Sequence, residues 1–260
     1  MAEAVRYHVD GMVGVITLDR PDNRNSMTPE LLDAFVVASN AARADKSIRA
    51  VVVTGTGACF SSGADFKSTL QRNESDAAPH ERSYAMYVPV LSLLDLEVPV
   101  IGALNGHTVG GGFGLALVCD MRIGAEGAKY GANFVKLGLA PGMSISYMLP
   151  RLVGVARANE LLLTGRLVDG TEAQALGILN RALPAAEVLP AALELARTVA
   201  GNAPLAVRYT KAAIRRGLAL TVREAAMEEA VFQAETVATE DAKEGIAALL
   251  EKRTPVFTGR

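Results

Sequence analysis

Two stretches of the chain place glycines and small residues where backbone amides can meet a ligand. The first is Gly57-Ala58-Cys59-Phe60-Ser61-Ser62-Gly63-Ala64-Asp65-Phe66-Lys67, and the second is Asn105-Gly106-His107-Thr108-Val109-Gly110-Gly111-Gly112. Glycine permits unusual dihedrals and close approach of the backbone, and the first turn of a following helix presents unpaired N–H groups. Neither loop is a nucleotide signature. A phosphate-binding loop needs Lys and Ser/Thr after its glycines, where this chain has Phe113 and Gly114. A dinucleotide fingerprint needs other glycine spacing and an acid about 20 residues on, and Asp120 comes far too early. The candidate acid–base residues near these loops are His107, whose imidazole can act as a proton shuttle, and Asp65, which reads most simply as a carboxylate that fixes its own loop. Ser144, Ser146 and Tyr147 can orient a substrate or a water, and Tyr84 and Tyr87 can line a pocket. Cys59, Cys119 and the three histidines have no metal-ligand spacing, and no disulfide framework is implied.

The elements around the loops read as α/β. Val13–Leu18 is a strand between Gly11 and the Arg20-Pro21-Asp22 turn. Thr28 caps a helix whose first residue is Pro29 and whose body is Glu30–Ala44. Ala50–Thr54 is a short continuous apolar run, which suits a strand covered on both faces, hence a parallel sheet. Val98–Leu104 is a second such strand, and Met121–Ala125 a third. Each glycine loop directly follows one of these strands, where open parallel sheets bind ligands. Lys67–Ala85 has no steady period and reads as a loop running into a helix. Alternation of strands and helices over the first ~185 residues implies right-handed crossovers. Beyond Ala185 only helical periods remain: Glu187–Ala200, Pro204–Leu220 and Val222–Leu250. In the last, Val222, Ala226, Ala230, Ala234, Val237 and Ala238 form an apolar stripe. The expected division is residues 1–185 as the ligand-binding core and 186–260 as a helical oligomerisation region.

Bulk composition agrees with a soluble enzyme-sized chain. Of 260 residues half are hydrophobic, and the net charge of −2 comes from interspersed acids and bases. No basic patch suggests nucleic acid or an anionic membrane. No run approaches the ~18 apolar residues of a membrane span, and the polar first ten residues lack a signal-peptide core. A cytoplasmic location is expected.

The motifs resemble those of the crotonase superfamily, the enoyl-CoA hydratase/isomerase family. Ser62-Gly63-Ala64-Asp65-Phe66-Lys67 resembles the family's AGAD-x-K element, and Asn105-Gly106, Gly110-Gly111-Gly112 and Cys119-Asp120 resemble its second signature. The likeness extends through Arg20-Pro21, Asn25, Leu137-Gly138, Pro150 to Gly154 and Leu162 to Gly165. It implies a spiral of ββα units with a C-terminal helical trimerisation region, assembled as a homotrimer or hexamer. It also implies a coenzyme A thioester as ligand or substrate, with no further cofactor and no metal. By resemblance the amides of Ala64 and Gly111 form an oxyanion hole for the thioester oxygen. Lys67 matches a lysine near the CoA phosphates, although alone it reads as a solvated surface lysine. Arg24 and Ser26 match the segment that contacts adenine. Ser62, Gly63, Asp65, Gly110 and Met143 complete the expected binding set.

The chain departs from the family at its acids. Hydratases of this kind hold a water between two glutamates acting as general acid and base. The matching positions here are Gly114 and Phe134, and a third acidic position, used by dienoyl-CoA isomerases, is Gly142. None of the three can transfer a proton. The sequence therefore implies an acyl-CoA-binding protein that stabilises an enolate without the two-glutamate machinery. A binding protein with little or no turnover is the alternative.

Overall fold

The computed structural model describes residues 3–65 and 77–260. Two sheets organise the chain. The larger contains β1 (Val5–Asp10), β2 (Val13–Leu18), β3 (Ala50–Gly55), β5 (Val100–Leu104), β7 (Met121–Ala125) and β9 (Arg181–Leu183), side by side in that order. The smaller contains β4 (Cys59–Ser61), β6 (His107–Val109) and β8 (Tyr130–Gly131). Successive strands thus alternate between the sheets: β3 then β4, β5 then β6, β7 then β8. That alternation, with intervening helices, is the expected spiral of ββα units. All neighbours in both sheets are parallel except β1 and β2. β1 was not anticipated in the polar first ten residues. Half of its residues are exposed because it lies at the sheet edge, so it carries no full hydrophobic signal.

The helices follow the sequence closely. Helix α1 spans Pro29–Ala44, with Pro29 in its first turn and the Thr28 side chain accepting a hydrogen bond from Leu31 N at 3.2 Å. Helix α2 spans Pro79–Leu91 and α3 spans Gly111–Val118. Helices α4 (Ile145–Val153), α5 (Val155–Thr164) and α6 (Gly170–Ala175) lead to β9. Then come α7 (Ala185–Ala200), α8 (Pro204–Gly217), α9 (Val222–Val237) and α10 (Glu240–Glu251).

Two features of the helical region differ from the sequence reading. Helix α7 lies almost wholly beyond residue 185 yet belongs to the core: it packs on β3, β5 and β7, with Val188, Ala192 and Ala196 fully buried. The single Val222–Leu250 helix is two helices, because Thr239 caps a new one by accepting a hydrogen bond from Ala242 N at 3.1 Å. No residue of α9 is buried, and the expected stripe from Val222 to Ala238 faces away from the chain. What α9 turns inward is Ala225, Glu228, Phe232 and Thr236, with Phe232 stacked on Tyr209 of α8 at 4.5 Å between ring centroids.

An ionic cluster around the buried Lys211 ties α8 to the segments that flank β5 and β7. Lys211 Nζ lies 2.9 Å from Asp120 Oδ2 and donates to Val98 O at 2.6 Å. Arg215 reaches the other oxygen of Asp120 at 2.8 Å, and Asp120 also accepts from Val100 N at 2.8 Å. Among the described residues no helix is long and apolar enough to cross a membrane.

Candidate active site

The ends of β3 and β5 lie side by side, Thr54 against Ala103, so both glycine loops leave the same edge of the large sheet. Asparagines tie them together there. Asn105 accepts from Gly55 N at 3.1 Å and donates to Gly57 O at 2.9 Å. Asn25 is fully buried and does more. Its Nδ2 donates to Thr56 O and Cys59 O, both at 2.9 Å, while its Oδ1 accepts from Arg20 N at 2.8 Å. Arg24 and Asn25 both sit in the left-handed region, at φ 58° and 50°, which asparagine tolerates better than most residues. The turn they form runs along the first glycine loop: Ser62 N donates to Arg24 O at 3.0 Å, and Met27 N to Gly63 O at 2.8 Å. Ser61 completes the knot, its Oγ donating to Asn25 O at 2.8 Å and accepting from Gly63 N at 3.2 Å.

This knot seats the first loop against the second. Gly63 has φ +82°, and a Cβ on it would stand 2.6 Å from Gly111 N and 2.8 Å from Val109 O. A Cβ on Gly112 would stand 2.3 Å from Ser61 O. Glycine at 63 and 112 is therefore what lets the loops touch. Gly110 precedes α3 with φ 58° and ψ −123°, a conformation open to glycine. Among the described residues neither Ala64 N nor Gly111 N donates to a protein acceptor. The Gly111 amide opens a buried helix, whose dipole adds positive potential there. Backbone amides without a protein acceptor can donate to an oxygen atom of a ligand.

The walls beside these amides are sulfur and aromatic carbon. A Cβ on Gly111 would lie 3.0 Å from Met27 Sδ and 3.6 Å from Met143 Cε, and one on Gly110 would lie 3.9 Å from Phe134 Cζ. Phe134 opens a short 3-10 turn and is half-buried, so the position matched to a second acid presents a ring to the loop. At Gly114 there is no room for any side chain: a Cβ would stand 2.3 Å from Met143 Cβ. Met143 is buried at φ 55°, followed by Ser144 at φ 57°, which starts α4. Two consecutive non-glycine residues in this region carry backbone strain. The packing of Met143 against α3 holds them there. Gly142 lies against α2, and a Cβ on it would meet the Tyr87 hydroxyl oxygen.

A polar pocket of about 490 Å³ opens beside the amides. It is lined by Asp22, Asn23, Arg24, Ser26, Ser62, Ala64 and Asp65. The fold thus gathers Arg24, Ser26, Ser62, Ala64 and Asp65 around one opening; Gly63, between two of them, touches Gly111, beside which Met143 stands. Lys67 lies outside the described residues. His107 stands at the exposed start of β6, where its Nδ1 accepts from Lys129 N at 3.0 Å, which fixes the neutral ring's proton on Nε2. None of its hydrogen bonds reaches the Gly63–Gly111 contact. Sequence reasoning assigned no role to Asn25 or Met27. The buried left-handed turn at Asn25 has no signal beyond an asparagine in a polar stretch, and Met27 reads as an ordinary apolar residue.

Residues 9–260 match the family model described as Enoyl-CoA hydratase/isomerase. The chain is 35% identical over 258 residues to a Mycobacterium bovis protein described as a probable enoyl-CoA hydratase, covering 99% of each. It is also 35% identical over 251 residues to the mitochondrial methylglutaconyl-CoA hydratase of Rattus norvegicus, covering 94% of this chain and 79% of that one. Among solved structures, the enoyl-CoA hydratase of Bacillus anthracis has a TM-score of 0.92 at 33% identity, covering 99% of this chain and 100% of that chain.

Proposed function

The chain belongs to the enoyl-CoA hydratase/isomerase family of the crotonase superfamily, and from that premise we propose that it binds an acyl-CoA thioester and polarises its carbonyl between the amides of Ala64 and Gly111. The observation that carries this reading is the Gly63–Gly111 contact, where both amides lack a protein acceptor among the described residues. Negative charge on a thioester oxygen grows as an enolate forms at the adjacent carbon. Fixed donors in a site walled by Met27, Met143 and Phe134 stabilise that charge, and one such donor is worth about 3 kcal/mol. The polar pocket at Arg24, Ser26 and Ser62 takes the CoA portion. The ligand is the coenzyme A ester itself, and the reading requires no metal and no other cofactor.

The chemistry differs from that of a two-glutamate hydratase. Gly114, Phe134 and Gly142 supply no proton donor or acceptor, so water addition lacks its general acid and base. Enolate stabilisation remains. The closed space at Gly114 favours the second reading, in which acyl-CoA is bound with little or no turnover. The exposed apolar stripe of α9 supports assembly as a homo-oligomer, which the family likeness makes a trimer or hexamer.

Calorimetric titration with butanoyl-CoA, which has no double bond to hydrate, tests the binding. Saturable binding is expected, with no comparable binding of butanoate. Gly111→Val introduces branches where Met27 Sδ already stands 3.0 Å from a bare Cβ, so binding should fall at least tenfold. Circular dichroism melting establishes that the variant is folded. A folded Gly111→Val protein that binds as well as the parent would refute the oxyanion assignment.

A further inference from the structure

A second opening lies at the other edge of the large sheet. Pro99 precedes β5 and Met121 starts β7, so both sit where strands begin, whereas the glycine loops leave where β3 and β5 end. There α8, the end of α7 and the C-terminal segment line a cavity of about 590 Å³. Apolar side chains supply most of the lining, among them Met121, Val199, Val207, Ile214 and Phe257. Phe257 is held through its carbonyl, which accepts from Arg49 Nη2 at 3.0 Å. No lining residue is shared with the pocket that contains Arg24 and Asp65.

The charged residues in this lining are Lys211, Arg215 and Asp120. Two cations thus share one carboxylate, Lys211 at 2.9 Å and Arg215 at 2.8 Å. Lys211 is 8% exposed, and a buried charge is costly unless it is balanced. Burial and Arg215 both push its ammonium below the ordinary pKa, and among the carboxylates only Asp120 opposes them. Of the three N–H groups of an ammonium, Lys211 directs one to Asp120 and one to Val98 O. The third has no acceptor among the described residues. An apolar cavity with one cation in excess suits an amphiphile with one negative charge and a hydrocarbon chain. We infer that this cavity binds an aliphatic carboxylate, whose head group pairs with Lys211 and Arg215 while its chain covers the apolar lining. The inference is independent of the acyl-CoA reading, because it uses other residues at the opposite edge of the sheet.

Calorimetry with octanoate, and with octanol as an uncharged chain of the same length, tests it. Octanoate is chosen because butanoate buries too little chain, and affinity grows with each methylene covered. The parent should bind one octanoate per chain, about tenfold more tightly than octanol, the ratio that a charge-assisted hydrogen bond provides. Excess butanoyl-CoA should not displace it. Lys211→Met leaves Arg215 balanced by Asp120 and should bring the two ligands to equal affinity. Ile214→Asp adds an acid to the lining at an exposed position and should weaken octanoate about tenfold, so the test stands even if Lys211→Met does not fold. Displacement of octanoate by butanoyl-CoA would place it in the acyl-CoA site and overturn the inference. So would equal affinities for octanoate and octanol in the parent, or parental octanoate affinity in Ile214→Asp. Absence of octanoate binding by the assembled parent would mean that a partner subunit fills the cavity, and would overturn it as well.

Discussion

Gly114 and Met143 form a matched pair. A Cβ at 114 would stand 2.3 Å from the Cβ of Met143 and 3.1 Å from its carbonyl oxygen. Gly114→Ala should therefore destabilise the protein by about 1–3 kcal/mol through overpacking, measured by urea denaturation. The obstacle is Cβ, so Met143→Ala should not relieve it. Met143→Gly should relieve it, and glycine also suits the backbone at φ 55°. Equal rescue by alanine would show that the collision is not at Cβ. The same geometry governs any attempt to restore hydration. Glutamates at Gly114 and Phe134 should give crotonoyl-CoA hydration only when Met143→Gly is added, and a gain without that third change would show that α3 shifts readily. Asn25 is the other residue on which the site depends. Asn25→Ala leaves Arg20 N, Thr56 O and Cys59 O without their present partner, at a cost of about 3 kcal/mol. It should also weaken butanoyl-CoA binding, because the Ser61–Gly63 contact hangs from the same turn. A folded Asn25→Ala protein with parental affinity would show that the turn does not set the loops.

The elements explain what the sequence could and could not disclose. Buried parallel strands are legible because both faces are covered: β3 and β5 appear as the apolar runs Ala50–Thr54 and Val98–Leu104. Helix α1 is legible from Thr28 and Pro29. The two loops are legible because glycine has few other reasons to cluster after a strand. By contrast, β1 is half exposed, and the break before α10 depends on one threonine within a helical period. The Met143 obstruction arises from two residues 29 apart in sequence, and no local pattern encodes it. Helix α8 illustrates how elements are fastened. Burial pushes the Lys211 ammonium below its ordinary pKa, and Arg215 pushes the same way, against the pull of Asp120. A lysine lowered on folding holds its proton less tightly in the native state, so its charge penalises folding until the pH rises through its native pKa toward about 10.5. Asp120→Asn removes the opposing charge and should cost roughly 3 kcal/mol near neutral pH. That deficit relative to the parent should narrow as the pH is raised from 7 to 10, as Lys211 discharges. A deficit that widens over this range in urea midpoints would mean that Lys211 is not the group left uncompensated.

At the scale of the whole molecule, a helix with no buried residue and an outward apolar stripe is a poor end state for a single chain. Sedimentation equilibrium at micromolar concentration should give a trimer or hexamer. Val222→Glu with Val237→Glu, both on the exposed stripe, should shift the protein toward smaller species. A clean monomer in the parent would show that the outward stripe of α9 meets no partner subunit. The combined picture we propose is a family scaffold that keeps an oxyanion hole at Ala64 and Gly111 while glycine and phenylalanine fill the positions matched to its acids. Crotonoyl-CoA titrated into the protein in a calorimeter tests both halves at once, because it reports binding heat and continuing reaction heat in one trace. The expected trace saturates at a definite stoichiometry and returns to baseline after each injection. Absence of saturable binding would contradict the account, as would sustained heat with conversion to 3-hydroxybutanoyl-CoA at the rate of an ordinary hydratase.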